Sequence, residues 1–286
     1  MEDLIISLEA TGDLTPSLIK QYNLKIVDMN FMVDGQEYST EKDTVVSSGL
    51  YEKMRSGKKT MTSQVNVLTY TNFFKKLLKK NKPILHIAFS SGLSNTYESA
   101  LHAANELNKE IGKKQIFVID SLCACSGHGM LAILSRKFAE NANSIEEVVE
   151  YVEKTKNQLN HSFTVDSLKY LASGGRIKPS AAFIGTIMNI KPVMRMDETG
   201  HLTVVSKVLS RKKSLLALYN KFHETHNPCC DLVFISHADC FEDAKLVASF
   251  IENNDHIQPI ITNLGPVIGC HSGPGTMSVY YLADHR

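Results

Sequence analysis

The first half of the chain alternates short apolar runs with amphipathic stretches, and this alternation constrains the fold more than any other feature. DLIISL (3–8), LKIVDMNFMV (24–33), PILHIAF (83–89) and QIFVID (115–120) have the length and composition of strands, whereas 66–80 and 94–111 repeat apolar residues at helical spacing. Strands interleaved with helices predict βαβ units and a mostly parallel sheet. A helical region over 126–158, interrupted near 141–144, closes this part, with Ser144 and Glu147 spaced as a capping box. From His161 onward the pattern changes to shorter segments that again mix strand and helix: IMNIKPVM (187–194), HLTVVSKVL (201–209), DLVFISH (231–237), IQPIIT (257–262) and TMSVYYL (276–282). The expected fold class is α/β, with two α/β domains: residues 1–160 around the mostly parallel sheet and residues 161–286 as the second. A length of 286 residues suits two domains, and neither a repeat nor a Pro/Gly/Ser-rich linker marks the join.

Composition excludes several function classes. A formal charge of +1 offers no basic stripe for nucleic acid. The start, MEDLIISLEATGD, lacks the basic and apolar regions of a signal peptide, and no later run approaches the length of a membrane span, so a cytoplasmic location without stable membrane insertion is expected. Six cysteines (Cys123, Cys125, Cys229, Cys230, Cys240 and Cys270) fit a reduced compartment. Neither Cys123, Cys125 and His128 nor Cys229, Cys230 and His226 has the paired spacing of a structural zinc site, and no metal is expected.

Three polar clusters carry the candidate chemistry. SSGLSNTYESA (90–100) follows a strand-like run and holds hydroxyls with no charge before Glu98. In open α/β sheets ligands gather where strands end and helices begin. Ser94 there stands beside helix N-terminal amides, a setting that attracts an anion without a cationic side chain and equally serves as an ordinary cap. TMTSQ (60–64) places Thr62 and Ser63 before another helix, again as hydroxyls that could cap it. GPVIGCHSGPG (265–275) packs four glycines and two prolines around His271, which predicts a rigid, sharply turned loop able to hold the imidazole close to a ligand. An ordinary surface turn is the alternative reading.

These stretches, with SGGRI (173–177) and IKPVM (190–194), resemble the motif set of the DegV family of bacterial fatty-acid-binding proteins. The resemblance runs from TGDLTP (11–16) to the C-terminus, with the motifs in the family's order. It implies a two-domain α/β protein that holds one long-chain fatty acid between its domains, with the carboxylate on hydroxyls and a histidine and the tail in an apolar tunnel. It implies no cofactor and no enzymatic activity of the chain itself. A separate fatty acid kinase catalytic subunit would phosphorylate the presented carboxylate to an acyl phosphate bound for phospholipid synthesis. Carried over by motif position, the carboxylate-binding residues are Thr62, Ser63, Ser94 and His271, and the contact with the kinase involves Lys207, Arg211 and Lys212.

Some residues depart from the pattern. Glu9 and Ala10 replace an aspartate and a serine in the opening motif, which sets a bulkier acid near the expected head-group site. Met61 replaces a threonine, and Leu209 stands where many relatives have arginine. For the tail, AAFIGTIMNI (181–190) offers Phe183, Ile184, Ile187 and Met188 as tunnel lining, though apolar helical spacing equally describes plain core. Two rivals remain. Ser94 and His271 could form an acyl ester hydrolase pair, although no G-x-S-x-G elbow occurs. The serine loop with SGGRIKP could bind phosphate or nucleotide, although neither common glycine-rich fingerprint is present.

Overall fold

The computed structural model describes residues 3–177 and 190–286. The first half runs through β1 (Ile5–Glu9), a 3-10 turn (Ala10–Gly12), α1 (Pro16–Gln21), β2 (Lys25–Val27), β3 (Asn30–Val33), β4 (Gln36–Ser39), α2 (Val45–Ser48) and α3 (Leu50–Arg55). It continues through β5 (Thr60–Thr62), α4 (Val67–Leu78), β6 (Ile84–Ala88), α5 (Thr96–Ile111), β7 (Ile116–Asp120), α6 (Cys125–Ala139) and α7 (Ile145–Thr155). The second half adds β8 (Leu159–Thr164), α8 (Lys169–Ser173), β9 (Ile190–Met196), β10 (Leu202–Leu209) and α9 (Arg211–Thr225). It ends with β11 (Phe234–His237), α10 (Phe241–Asp255), β12 (Ile260–Asn263), α11 (Pro266–Ser272) and β13 (Met277–Leu282).

Among the described residues three sheets form. The first, in order β2-β1-β6-β7, is parallel throughout, as the strand–helix alternation predicts. The second is mixed, β10-β9-β8-β13-β11-β12, with only β11 and β12 parallel. The α/β class with two separate sheets is therefore as expected, and the predicted join at 160/161 falls inside β8. A small antiparallel sheet, β4-β3-β5, is the third. It splits the run 24–33, expected as one strand: Thr40 accepts the Met29 N–H at 2.9 Å and donates to Asp28 at 3.1 Å, turning the chain out of the parallel sheet after β2.

Helix α6 lies between the two large sheets and is buried from Cys125 to Arg136. Its side chains join one apolar core with Leu8, Ile87 and Ile119 of the parallel sheet and Phe234 and Tyr280 of the mixed one. Burial on every side explains why the helix is built from small and apolar residues. The segment 265–275 is a correction. It forms a helix over Pro266–Ser272, with Pro266 at the first position and the turn confined to Gly273 and Gly275, which have φ of +81° and +80°. Among the described residues no helix is long and apolar enough to cross a membrane, and all six cysteines are free thiols.

Candidate functional site

The carboxyl ends of β1, β6 and β7 face the inner side of the mixed sheet across a cavity of about 460 Å³. Thr62, Ser63, Ser94 and His271 all stand on its wall. Thr62 ends β5, and its Oγ1 shares a hydrogen bond of 2.7 Å with His271 Nε2 from the last turn of α11. Gly174 lies against the other ring nitrogen so closely that a Cβ there would sit 2.4 Å from Nδ1. Burial, aided by the charge of Arg176, pushes the His271 pKa down to about 4. The imidazole is therefore neutral at pH 7 and offers one donor and one acceptor.

Ser94 is both cap and wall. Its Oγ accepts the Thr96 N–H at 3.2 Å and shares a 2.7 Å hydrogen bond with Thr96 Oγ1, while the N-cap position of α5 is Asn95, whose side chain makes no capping bond. Arg176, from the SGGRI motif, is the only Lys or Arg among the described lining residues. Burial lowers its pKa, and its Nη1 donates to Gly174 O. The SGGRI motif was legible in the sequence, but not that its arginine faces this cavity, because a glycine-rich turn does not say where a side chain points.

Carboxylates set behind the wall hold the serine loop. Asp120 Oδ1 accepts the Ser91 and Leu122 N–H groups, each at 3.1 Å. Glu9 Oε2 accepts the Phe89 N–H at 2.9 Å. The acid expected near the head group is thus turned inward: Glu9 is fully buried and takes hydrogen bonds from Tyr70 and, at 2.9 Å, from His86 Nε2. Burial alone would raise its pKa, but His86, His128 and Tyr70 outweigh that and hold it at about 2. Met61 and Leu209 are exposed.

Deeper in, Phe163, Met196 and Leu202 of the mixed sheet and Phe89 and Leu93 of the serine loop give the cavity apolar walls. Cys125 opens α6 with φ +52° and donates its thiol hydrogen to Asp13 Oδ2 at 2.9 Å. Burial, reinforced by Asp13, raises the thiol pKa well above its usual value, so it is a poor nucleophile. Ser94 bonds to Thr96 and His271 to Thr62, and among the described residues the two share no hydrogen bond, which leaves the hydrolase pairing unsupported. The proposed lining residues Phe183, Ile184, Ile187 and Met188 lie outside the described residues. Lys207 is on the outer part of β10 and Lys212 is exposed on α9, whereas Arg211 is partly buried and donates from Nε to Asp243 at 2.8 Å. Among the described residues no cluster of His, Cys, Asp and Glu could hold a metal ion.

Fold and site together define an α/β protein with an amphipathic cavity where a parallel and a mixed sheet meet. The family model described as "Uncharacterised protein, DegV family" matches residues 4–284. A DegV domain-containing protein of Clostridium perfringens is 36% identical over 289 residues, covering 100% of this chain and 99% of its own length. Two solved structures from Thermotoga maritima superpose closely. A DegV lipid-binding protein is 26% identical with a TM-score of 0.84, covering 99% of each chain. A protein described as revealing fatty acid binding function is also 26% identical, with a TM-score of 0.82 and coverage of 98% of this chain and 99% of its own. The chain belongs to the DegV family.

Proposed function

We propose that the cavity binds one long-chain fatty acid, with its carboxylate toward Thr62, Ser63, Ser94 and His271 and its tail along the apolar walls. The observation that carries this reading is the Thr62–His271 pair: a neutral imidazole and a hydroxyl, hydrogen-bonded at 2.7 Å, standing on the wall of a cavity that Phe89, Leu93, Phe163, Met196 and Leu202 also line. Uncharged donors at these four positions hold a carboxylate by hydrogen bonds, and Arg176 on the same wall adds positive charge nearby. Each buried methylene contributes about 0.8 kcal/mol, so the tail supplies most of the affinity. Fatty acid binding described for the Thermotoga maritima relative supports the assignment.

In this reading the protein is a non-catalytic, cytoplasmic carrier of two lobes joined near residue 160. It presents the carboxylate to a fatty acid kinase catalytic subunit for acyl phosphate formation. Lys207 and Lys212 supply positive charge for that contact, and Arg211 shapes its edge through Asp243. Mass spectrometry of an organic extract of the purified protein tests the binding. The expected result is one long-chain fatty acid per chain; protein that carries no lipid and takes up none on incubation with fatty acid would refute it. Acyl phosphate formed from the loaded protein, ATP and a kinase subunit tests the presentation role.

A further inference from the structure

The stretch that brings Ser94 to the cavity hangs on Ser90, a residue that does not itself line the wall. Ser90 is fully buried. Its backbone carbonyl accepts the N–H groups of Leu93 and Ser94 at 3.1 and 3.2 Å, which fixes the turn of the loop. Its side chain reaches the other sheet: Oγ donates to Gly200 O at 2.9 Å and accepts the Gly92 N–H at 3.3 Å.

Gly200 belongs to the tight turn between β9 and β10. One carboxylate shapes that turn, since Asp197 Oδ1 accepts the Thr199 N–H at 2.9 Å, the Thr199 hydroxyl at 2.7 Å and the His201 N–H at 3.0 Å. The turn and the serine loop meet backbone to backbone. A Cβ on Gly92 would lie 2.6 Å from Gly200 O, and one on Gly200 would lie 2.1 Å from Ser90 Oγ; Gly200 also has φ +77°. The contact therefore tolerates no side chain on either glycine. A turn carried by the mixed sheet thus sets where a loop carried by the parallel sheet can sit.

We propose that Ser90 and Gly200 are positioning residues, through which the β9–β10 turn holds the Ser91–Asn95 loop where it receives the ligand's carboxylate. The inference rests on the fatty acid reading given above. Ser90→Ala would leave a buried carbonyl unpaired and free the Gly92 N–H, and Gly200→Ala would push Ser90 away. Either change displaces Ser94, and Leu93 beside it, while leaving the apolar wall formed by Phe163, Met196 and Leu202 of the mixed sheet in place.

The test compares hexadecanoic acid with hexadecanol, which shares the tail and lacks the carboxylate, on the wild-type protein and both variants. The wild type should prefer the acid. Each variant should bind the acid about ten-fold more weakly and the alcohol within about two-fold of the wild type. A general structural defect would weaken both ligands equally, and that result, or no loss in either, would overturn the positioning role. Ser90→Ala removes only a hydroxyl, so the test stands even where Gly200→Ala fails to fold. A wild-type protein with no preference for the acid would overturn the carboxylate reading, and the positioning role with it.

Discussion

His271 shows how one residue links stability to the proposed chemistry. Its pKa in the folded protein is about 4, against 6.5 for a free histidine. Between these values the unfolded chain binds a proton that the folded chain refuses, so stability is present above pH 6.5 and is lost as pH falls toward 4. The full effect is about 3 kcal/mol. Urea unfolding of the wild type and of His271→Gln at pH 7 and pH 4.5 should show the wild-type advantage shrinking at the lower pH. A difference that does not change with pH would mean that the ring is solvated. At pH 7.5, His271→Ala and Ser94→Ala should each weaken fatty acid binding about ten-fold while the far-ultraviolet circular dichroism stays unchanged. The sequence singled out these two residues, with Thr62 and Ser63, through their hydroxyl and histidine clusters and the family's motif positions, and the fold sets all four on one cavity wall. Glu9 was not legible: all five residues of β1 are buried, so alternation along the strand could not reveal which way its carboxylate points.

At the scale of elements, the apolar strands were legible and the reasons for the glycines were not. Gly127 and Gly129 sit inside α6, where helix propensity would favour alanine by about 1 kcal/mol each. Both are required by close approach: a Cβ on Gly127 would lie 2.3 Å from His161 Nε2, and one on Gly129 would lie 2.4 Å from Gly12 O. His161 cannot yield easily, because its Nε2 accepts the Ala124 N–H at 3.1 Å and its ring packs edge-on against Tyr280. Gly127→Ala is therefore expected to destabilise the protein by about 1–3 kcal/mol despite the better helix former, as read by the denaturation midpoint. An unchanged or raised midpoint would show that the α6–β8 contact can relax. The same blindness explains α11. Its glycines suggested a turned loop, but Gly269 is glycine because a Cβ would meet the Tyr51 hydroxyl at 2.7 Å, and sequence alone does not say which neighbour crowds a backbone.

Across the whole molecule, the two large sheets were legible from strand order, but how they join was not, because it depends on contacts between residues far apart in the chain. Asp13 is one such junction. It follows the 3-10 turn after β1, bonds to the Cys125 thiol at the start of α6, and accepts the Gly265 N–H just ahead of α11, with Tyr51 of α3 nearby. Burial raises its pKa from 3.8 to about 7, although the bonds from Cys125 and Gly265 act the other way. The folded protein thus keeps a proton that the unfolded chain would release. The stability this gives is complete below pH 3.8 and disappears as pH rises through 7. His271 has the opposite slope, so between pH 4 and 6.5 the two largely cancel and the wild type should vary little. Asp13→Asn removes one of the two. The variant should gain stability as pH rises from 4.5 to 6.5 and hold it to pH 8, so that its difference from the wild type shifts in its favour by about 3 kcal/mol between pH 4.5 and pH 8 in urea unfolding. Equal differences at all three pH values would mean that the Asp13 carboxylate is hydrated through the cavity, and that this junction between the sheets is open to water rather than sealed.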